Sequence, residues 1–242
     1  NAMRSFAGLE AIQGLGMGIR IDGDTLKARY DFEIDRSRAG LVATLADPPP
    51  LAMRAAALLP ADVETVTALS VDATRIFDLV EQAFGPLPPS SPHSRTFNQE
   101  VAEMEASLGV SLRTELLPAI GTEFVLTGSL GTLFGGAGQY GVERPLSVLV
   151  AEVRNAEVAR RALTNLFKTK PDDPPLPATD YKGFEFYQGP GVAAAFVPGF
   201  GILGDPDHVR RCLDAVVSGA TLAKNGEFAN QSTSWVGDAL MA

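Results

Sequence analysis

With 242 residues, 45% of them apolar and 20% charged, the chain has the composition of a globular protein able to bury one large core or two small ones. Its 29 acidic side chains against 20 basic ones give a net charge of −9, which repels polyphosphate backbones and anionic lipid surfaces, so nucleic acid is excluded as an expected partner. No stretch of about 18 or more apolar residues occurs, so no transmembrane helix is expected, and one cysteine, Cys212, permits no intramolecular disulfide.

Asn1-Ala2 ahead of Met3 reads as a tag remnant and is set aside, and the apolar ending SWVGDALMA points to a piece of a longer protein. After a short helical lead-in near Phe6 to Gln13, the stretches LGMGIRID, TLKARYDFEID and AGLVATLA read as a three-strand antiparallel meander. The second alternates cleanly: Leu26, Ala28, Tyr30, Phe32 and Ile34 fall on one side and Lys27, Arg29, Asp31, Glu33 and Asp35 on the other, as a strand with one wet face requires. Asp22-Gly23 between the first two strands is a two-residue hairpin signal, and the acids near it belong to turn chemistry, because the loop of a calcium site is absent. DPPPL stops the sheet, and LAMRAAALL reads as a short helix ended by Pro60.

A unit then recurs. VETVTALSV is β-branched and extended, Asp72 is an N-cap, and ATRIFDLVEQAF is helical with Ile76, Leu79, Val80 and Phe84 on one stripe. PLSVLVAEV, Asn155 and AEVARRALTNLF repeat the order, with Val158, Ala162, Leu163, Leu166 and Phe167 turned inward. FGILG, Asp205 and DHVRRCLDAVVSG repeat it once more, with Pro206 at the first helical position and Gly219 closing the helix. NQEVAEMEASLGVSLRTELLPAI reads as two helices broken near Gly109, leading into the strand GTEFVLTGSL, and YKGFEFYQG is a further strand. LLPAD at 58–62 and LLPAI at 116–120 each close a helix ahead of a strand, which strengthens internal duplication. The Pro- and Ser-rich connection GPLPPSSPHSRT, which holds His93, and the segment KTKPDDPPLPATD read as solvated loops.

The expected fold is therefore α+β: a mostly antiparallel sheet with helices packed on one face, in two halves related by duplication, behind an N-terminal three-strand meander. Residues 3–57 form the meander and short helix, and residues 58–242 the duplicated region, packed with it as one domain.

Chemistry is sparse. The chain has two histidines, His93 and His208, neither in a metal-ligand spacing, and neither a nucleophile elbow nor a phosphate loop occurs. His208 and Cys212 are four apart on one helix face, yet a lone cysteine in an apolar stripe reads as a small buried residue. Glu103 with Glu105, and Asp172 with Asp173, read as solvated charge; a hydrolase pair of carboxylates would converge only in space. The spacing G-x-G-x-x-G of a dinucleotide turn occurs at Gly136, Gly138 and Gly141 and again at Gly199, Gly201 and Gly204. The first leads through Pro145 into a strand and so has no helix N-terminus to face a pyrophosphate; the second places Asp205 and Asp207 where a phosphate would sit. No catalytic residue, cofactor or metal is expected.

The order LLPAD, LGVSLRTELLPAIGTEFVL, SVLVAEVRNAEVARRALTNLF and YKGFEFYQGPGVAAAFVPGFGILGDPDHVRRCLDAVVSGATLAKNGEF resembles a domain-of-unknown-function family of exported bacterial proteins. In that family a helix runs into L-P-x-x-G-x-E before a strand, and a hairpin carries x-x-x-L-G into a helix ending near S-L-A-x-x-x-x-F; the counterparts are Leu117 to Glu123, Phe200 to Gly204 and Thr221 to Phe228. The resemblance spans Leu58 to Phe228 and implies an extracytoplasmic parent protein, periplasmic or at the cell surface, free or tethered to a membrane. It carries over no catalytic residue. Two functions from different classes follow as expectations: a non-catalytic domain that binds or scaffolds a protein partner, and a carrier whose sheet and helices enclose a lipid or other apolar ligand, with GVAAAFVPGFGIL and LFGGAG apolar enough to line it. A nucleotide-cofactor enzyme ranks below both.

Overall fold

A computed structural model describes residues 6–22, 25–38, 40–86, 95–128, 147–168, 174 and 176–232. The chain forms two compact units, one of Asn1–Pro48 with Arg75–Gln99 and one of Pro49–Thr74 with Glu100–Ala242. The division thus falls at Pro48, in the proline run, and the helix after Asp72 contributes most of its length to the first unit.

In the first unit a single turn, Leu9–Ala11, leads into strand β1 (Ile12–Asp22), which pairs antiparallel with β2 (Thr25–Ile34) as a sheet of two strands. The register runs from Ile12 opposite Ile34 to Asp22 opposite Thr25, with a bulge between Ile12 and Gly14. The expected third strand of the meander is instead the helix α1 (Leu41–Leu45). LVATL is apolar at nearly every position and so lacks the alternation that holds an edge strand, whereas Thr44 N–H and Thr44 Oγ1 both donate to Gly40 O, closing a helical turn. Helix α2 (Ala73–Phe84) follows Asp72, whose Oδ1 accepts from Thr74 N–H as the cap reading required. Phe84 packs edge-on against Phe6, and Phe77 against Phe97.

The second unit is built on one antiparallel sheet. Its strands are β3 (Val66–Ser70), β4 (Ile120–Thr127), β5 (Val148–Val153), β6 (Thr179–Tyr181), β7 (Phe184–Gly189), β8 (Val192–Val197) and β9 (Phe200–Gly204), in spatial order β3-β4-β5-β9-β8-β7-β6. YKGFEFYQG is thus a hairpin: Lys182 and Gly183, at φ 55° and 89°, make the two-residue turn between β6 and β7. Helix α3 (Phe97–Leu108) stops at Gly109, φ 66°, and a π-helical turn, Leu112–Leu116, continues through Leu117–Ala119 into β4, so the break near Gly109 falls where expected.

All three cap-and-helix units form. Asn155 Oδ1 accepts from the N–H groups of Glu157 and Val158 at the start of α4 (Ala156–Leu166), and Asp205 Oδ1 accepts from Asp207 N–H at the start of α5 (Pro206–Ser218), which Gly219 closes at φ 73°. The hairpins β4–β5 and β8–β9, each followed by a helix, flank the central β5–β9 pair, where Val148 faces Gly204 and Val150 faces Ile202.

The helices occupy both faces of the sheet, not one. Val209, Cys212 and Leu213 of α5 join Val148, Val150, Ile202, Ala193 and Ala195 in a closed core with Leu51, Leu59 and Leu222. On the opposite face Arg160 of α4 lies over the Phe196 ring, and the ring of Phe167 covers Gly189. The reason is visible in VAAAFV, where residues pointing to either side are apolar and only a doubly covered strand can bury them.

Candidate functional site

The residues singled out by chemistry are not assembled into a reactive site. Cys212 is fully buried beneath α5, and burial pushes its thiol up to about 12, so it carries no thiolate at neutral pH. His208 Nδ1 accepts from Ser147 N–H at 3.2 Å, tying the start of α5 to the start of β5. His93, Asp172, Asp173 and the first glycine pattern at Gly136 to Gly141 lie outside the described residues. Among the described residues no group of three or more His, Cys, Asp or Glu side chains is arranged to hold a metal ion.

The second glycine pattern is a packing device. Gly199, φ 80°, turns the chain between β8 and β9; a Cβ on Gly204 would stand 2.7 Å from the Ser147 carbonyl oxygen, and one on Gly201 would touch Phe196 and Val153. At the N-terminus of α5 the carboxylate of Asp205 accepts from Asp207 N–H, so the cap is supplied by the chain itself and places negative charge where a phosphate would sit.

A polar cluster that spacing alone did not reveal sits on the core face of β4. The chain passes through Met53 in the left-handed region, φ 52°, into a turn of 3₁₀ helix, Arg54–Ala57, and Glu123 Oε1 accepts from Ala55 N–H at 2.7 Å. Arg54 donates to Glu152 Oε1 at 2.6 Å and stands 3.7 Å from Glu123 Oε2, with its guanidinium 5.4 Å from the centre of the Phe200 ring. Glu152 Oε2 accepts in turn from the N–H groups of Thr122 and Glu123. Burial alone would raise the Glu152 carboxyl, but the Arg54 hydrogen bond and those two N–H groups outweigh it and hold the group below the ordinary glutamate range. The Glu152 hydrogen bond likewise raises Arg54 above its ordinary value. Ser70, opposite Glu123 in the β3–β4 register, is buried with an unpartnered Oγ, and Glu123 Oε2 also lacks a hydrogen bond.

Two carboxylates therefore converge, as a hydrolase pair would, yet one arginine bridges them and backbone N–H groups hold them. That arrangement clamps the Arg54–Ala57 turn onto the sheet. Twenty-nine residues separate Glu123 from Glu152, and the antiparallel pairing of β4 with β5, which sets Phe124 opposite Ala151, brings them together, a feature that no local motif encodes. The one signal was a glutamate at an inward position of IGTEFVLT, which is also the last residue of the L-P-x-x-G-x-E match.

Two surfaces offer room for a partner. An open groove of about 400 Å³ lies at the entry to β3, lined by Val63, Val66, Leu222 and Phe228 with Glu64 and Glu227 among its polar walls. The other surface is the hairpin. Leu15, Met17, Ile19 and Ile21 follow one another on one face of β1 with 60–74% of their surface exposed, and Phe32, paired with Leu15, is 56% exposed. The opposite side of β1 carries Gly14, Gly16 and Gly18. The apolar side of β1 is thus open to solvent.

Comparisons of the chain with family models, with curated proteins and with solved structures find no match.

Proposed function

We propose that this chain is a non-catalytic binding or scaffolding domain of an extracytoplasmic protein, and that the β1–β2 hairpin is its contact surface. The observation that carries the reading is the strip Leu15, Met17, Ile19, Ile21 and Phe32, a contiguous exposed apolar patch of the kind that soluble proteins keep for interactions. A buried, high-pKa thiol, a capped helix N-terminus and an acid pair bridged by Arg54 support a role without chemistry. The extracytoplasmic location rests on the family resemblance.

A photo-crosslinking side chain in place of Ile19, in the protein expressed in its own host, tests the reading. A discrete adduct that is absent when the probe stands at the exposed Asp62 is expected; no adduct from Ile19 sinks it.

A second reading, a carrier of a small apolar ligand, rests on the groove beside β3, whose volume lies within the usual range for ligand sites of roughly 300–1,000 Å³. Saturable binding of a fluorescent fatty acid, weakened at least tenfold by Phe228→Asp, is its expected result, and non-saturable binding removes it.

A further inference from the structure

The hairpin leaves the apolar strip of β1 open to solvent. A sheet of two strands is marginal in water without a third strand or a packed face, and here both strands run ten residues or more and, among the described residues, hydrogen-bond as strands to each other alone. Nor does β1 carry the usual guards against association: between Ile12 and Asp22 there is no lysine and no proline, Arg20 is its one cation, and three of its residues are glycine.

We infer that the apolar face of the hairpin packs on the same face of a second copy of this chain, the two hairpins lying antiparallel about a two-fold axis near Met17 and Ile19. The inference rests on the binding reading above and names its partner. Two observations choose the second copy. First, the strip is uniform from Leu15 to Ile21, so reversing one hairpin over another sets large apolar side chains against large apolar side chains at every step, as an isologous contact requires. Second, each exposed side chain of this size offers on the order of 100 Å², so five from each copy cover about 1,000 Å², the lower bound for a specific interface. The register sets Phe32 opposite Leu15, so the fifth side chain stands beside the strip on β2.

Sedimentation equilibrium of the whole chain over a wide concentration range tests this, with three variants. Reversible association to twice the chain mass is expected. Ile19→Lys sets like charges face to face near the axis and should weaken association roughly a hundredfold. Val217→Lys, at an exposed apolar position on α5, should change nothing. Ile19→Cys should be joined to its own copy by a bifunctional maleimide of about 10 Å reach, because sheets packed face to face stand about that far apart and a residue near a two-fold axis lies close to its own copy, whereas buried Cys212 does not take part. Far-ultraviolet circular dichroism checks that each variant folds, and the crosslink keeps the test decisive if Ile19→Lys does not. A wild-type chain that stays monomeric, or a dimer indifferent to Ile19→Lys and lacking the crosslink, overturns the inference. If the chain is monomeric but the Ile19 photo-probe labels a different protein, the second copy falls and the binding reading stands; if the probe labels nothing, both fall.

Discussion

At Glu123 one buried carboxylate satisfies the Ala55 N–H and shares Arg54 with Glu152, so its removal leaves a donor stranded in the core. Glu123→Ala should cost about 1–3 kcal/mol in urea denaturation, the penalty of an unpaired buried group. Glu152 supplies a pH dependence with a defined sign. Its folded value lies below the unfolded one, so its contribution is fully present above the ordinary glutamate range and is lost as pH falls through the lower, folded value. Thermal unfolding of the wild type should therefore lose stability on acidification more steeply than that of Glu152→Gln, and parallel curves would refute the assignment. Cys212 shows what was legible at this scale. Its place in an apolar helix stripe indicated an inert side chain, and a thiol reagent should modify it only after unfolding. The acid cluster was not legible, because it depends on which strand pairs with β4 and on a turn 68 residues distant from Glu123.

The helix starts were readable because each is settled within three residues of sequence: Asp72, Asn155 and Asp205 all accept from N–H groups just ahead of them. Asn155→Ala and Asp205→Ala should each destabilise the protein by roughly 1 kcal/mol. The double variant should lose about the sum, since the two caps serve helices on opposite faces of the sheet and share no partner; a clear departure from additivity would mean that α4 and α5 are coupled through the strands. What local signals did not settle were the elements decided by what lies around them. LVATL carries no alternation and takes a helix where a third strand was expected. LAMRAAALL was expected to be helical, and only its middle, Arg54–Ala57, becomes a turn, held there by Glu123. VAAAFV is apolar on both sides, which signals coverage of both faces, but the strand–helix repeat drew attention to one. The repeat itself is real as a sequence of elements, yet α4 and α5 lie on different faces, so the two halves are not related by one rotation through the β5–β9 pair.

For the whole molecule, stability is expected to be uneven in a way that reports on the hairpin. β5 and β9 each have a hydrogen-bonded neighbour on both sides, and Val150 and Ile202 are buried between them and α5. Their amides should exchange with solvent only through global opening. β1 and β2 have one neighbour each and an exposed apolar face, so in an isolated chain their amides should exchange far faster. Association changes this selectively, because a partner that binds the folded hairpin stabilises it by mass action. Hydrogen exchange followed at increasing protein concentration should then show protection rising over Met17 to Ile21 and across the paired residues of β2, with no change at Val150 or Ile202. Ile19→Lys should abolish that concentration dependence and leave the central strands untouched. Protection of the hairpin that is already high and independent of concentration would mean that this chain covers its own apolar strip, and the contact surface would have to be sought at the groove beside β3.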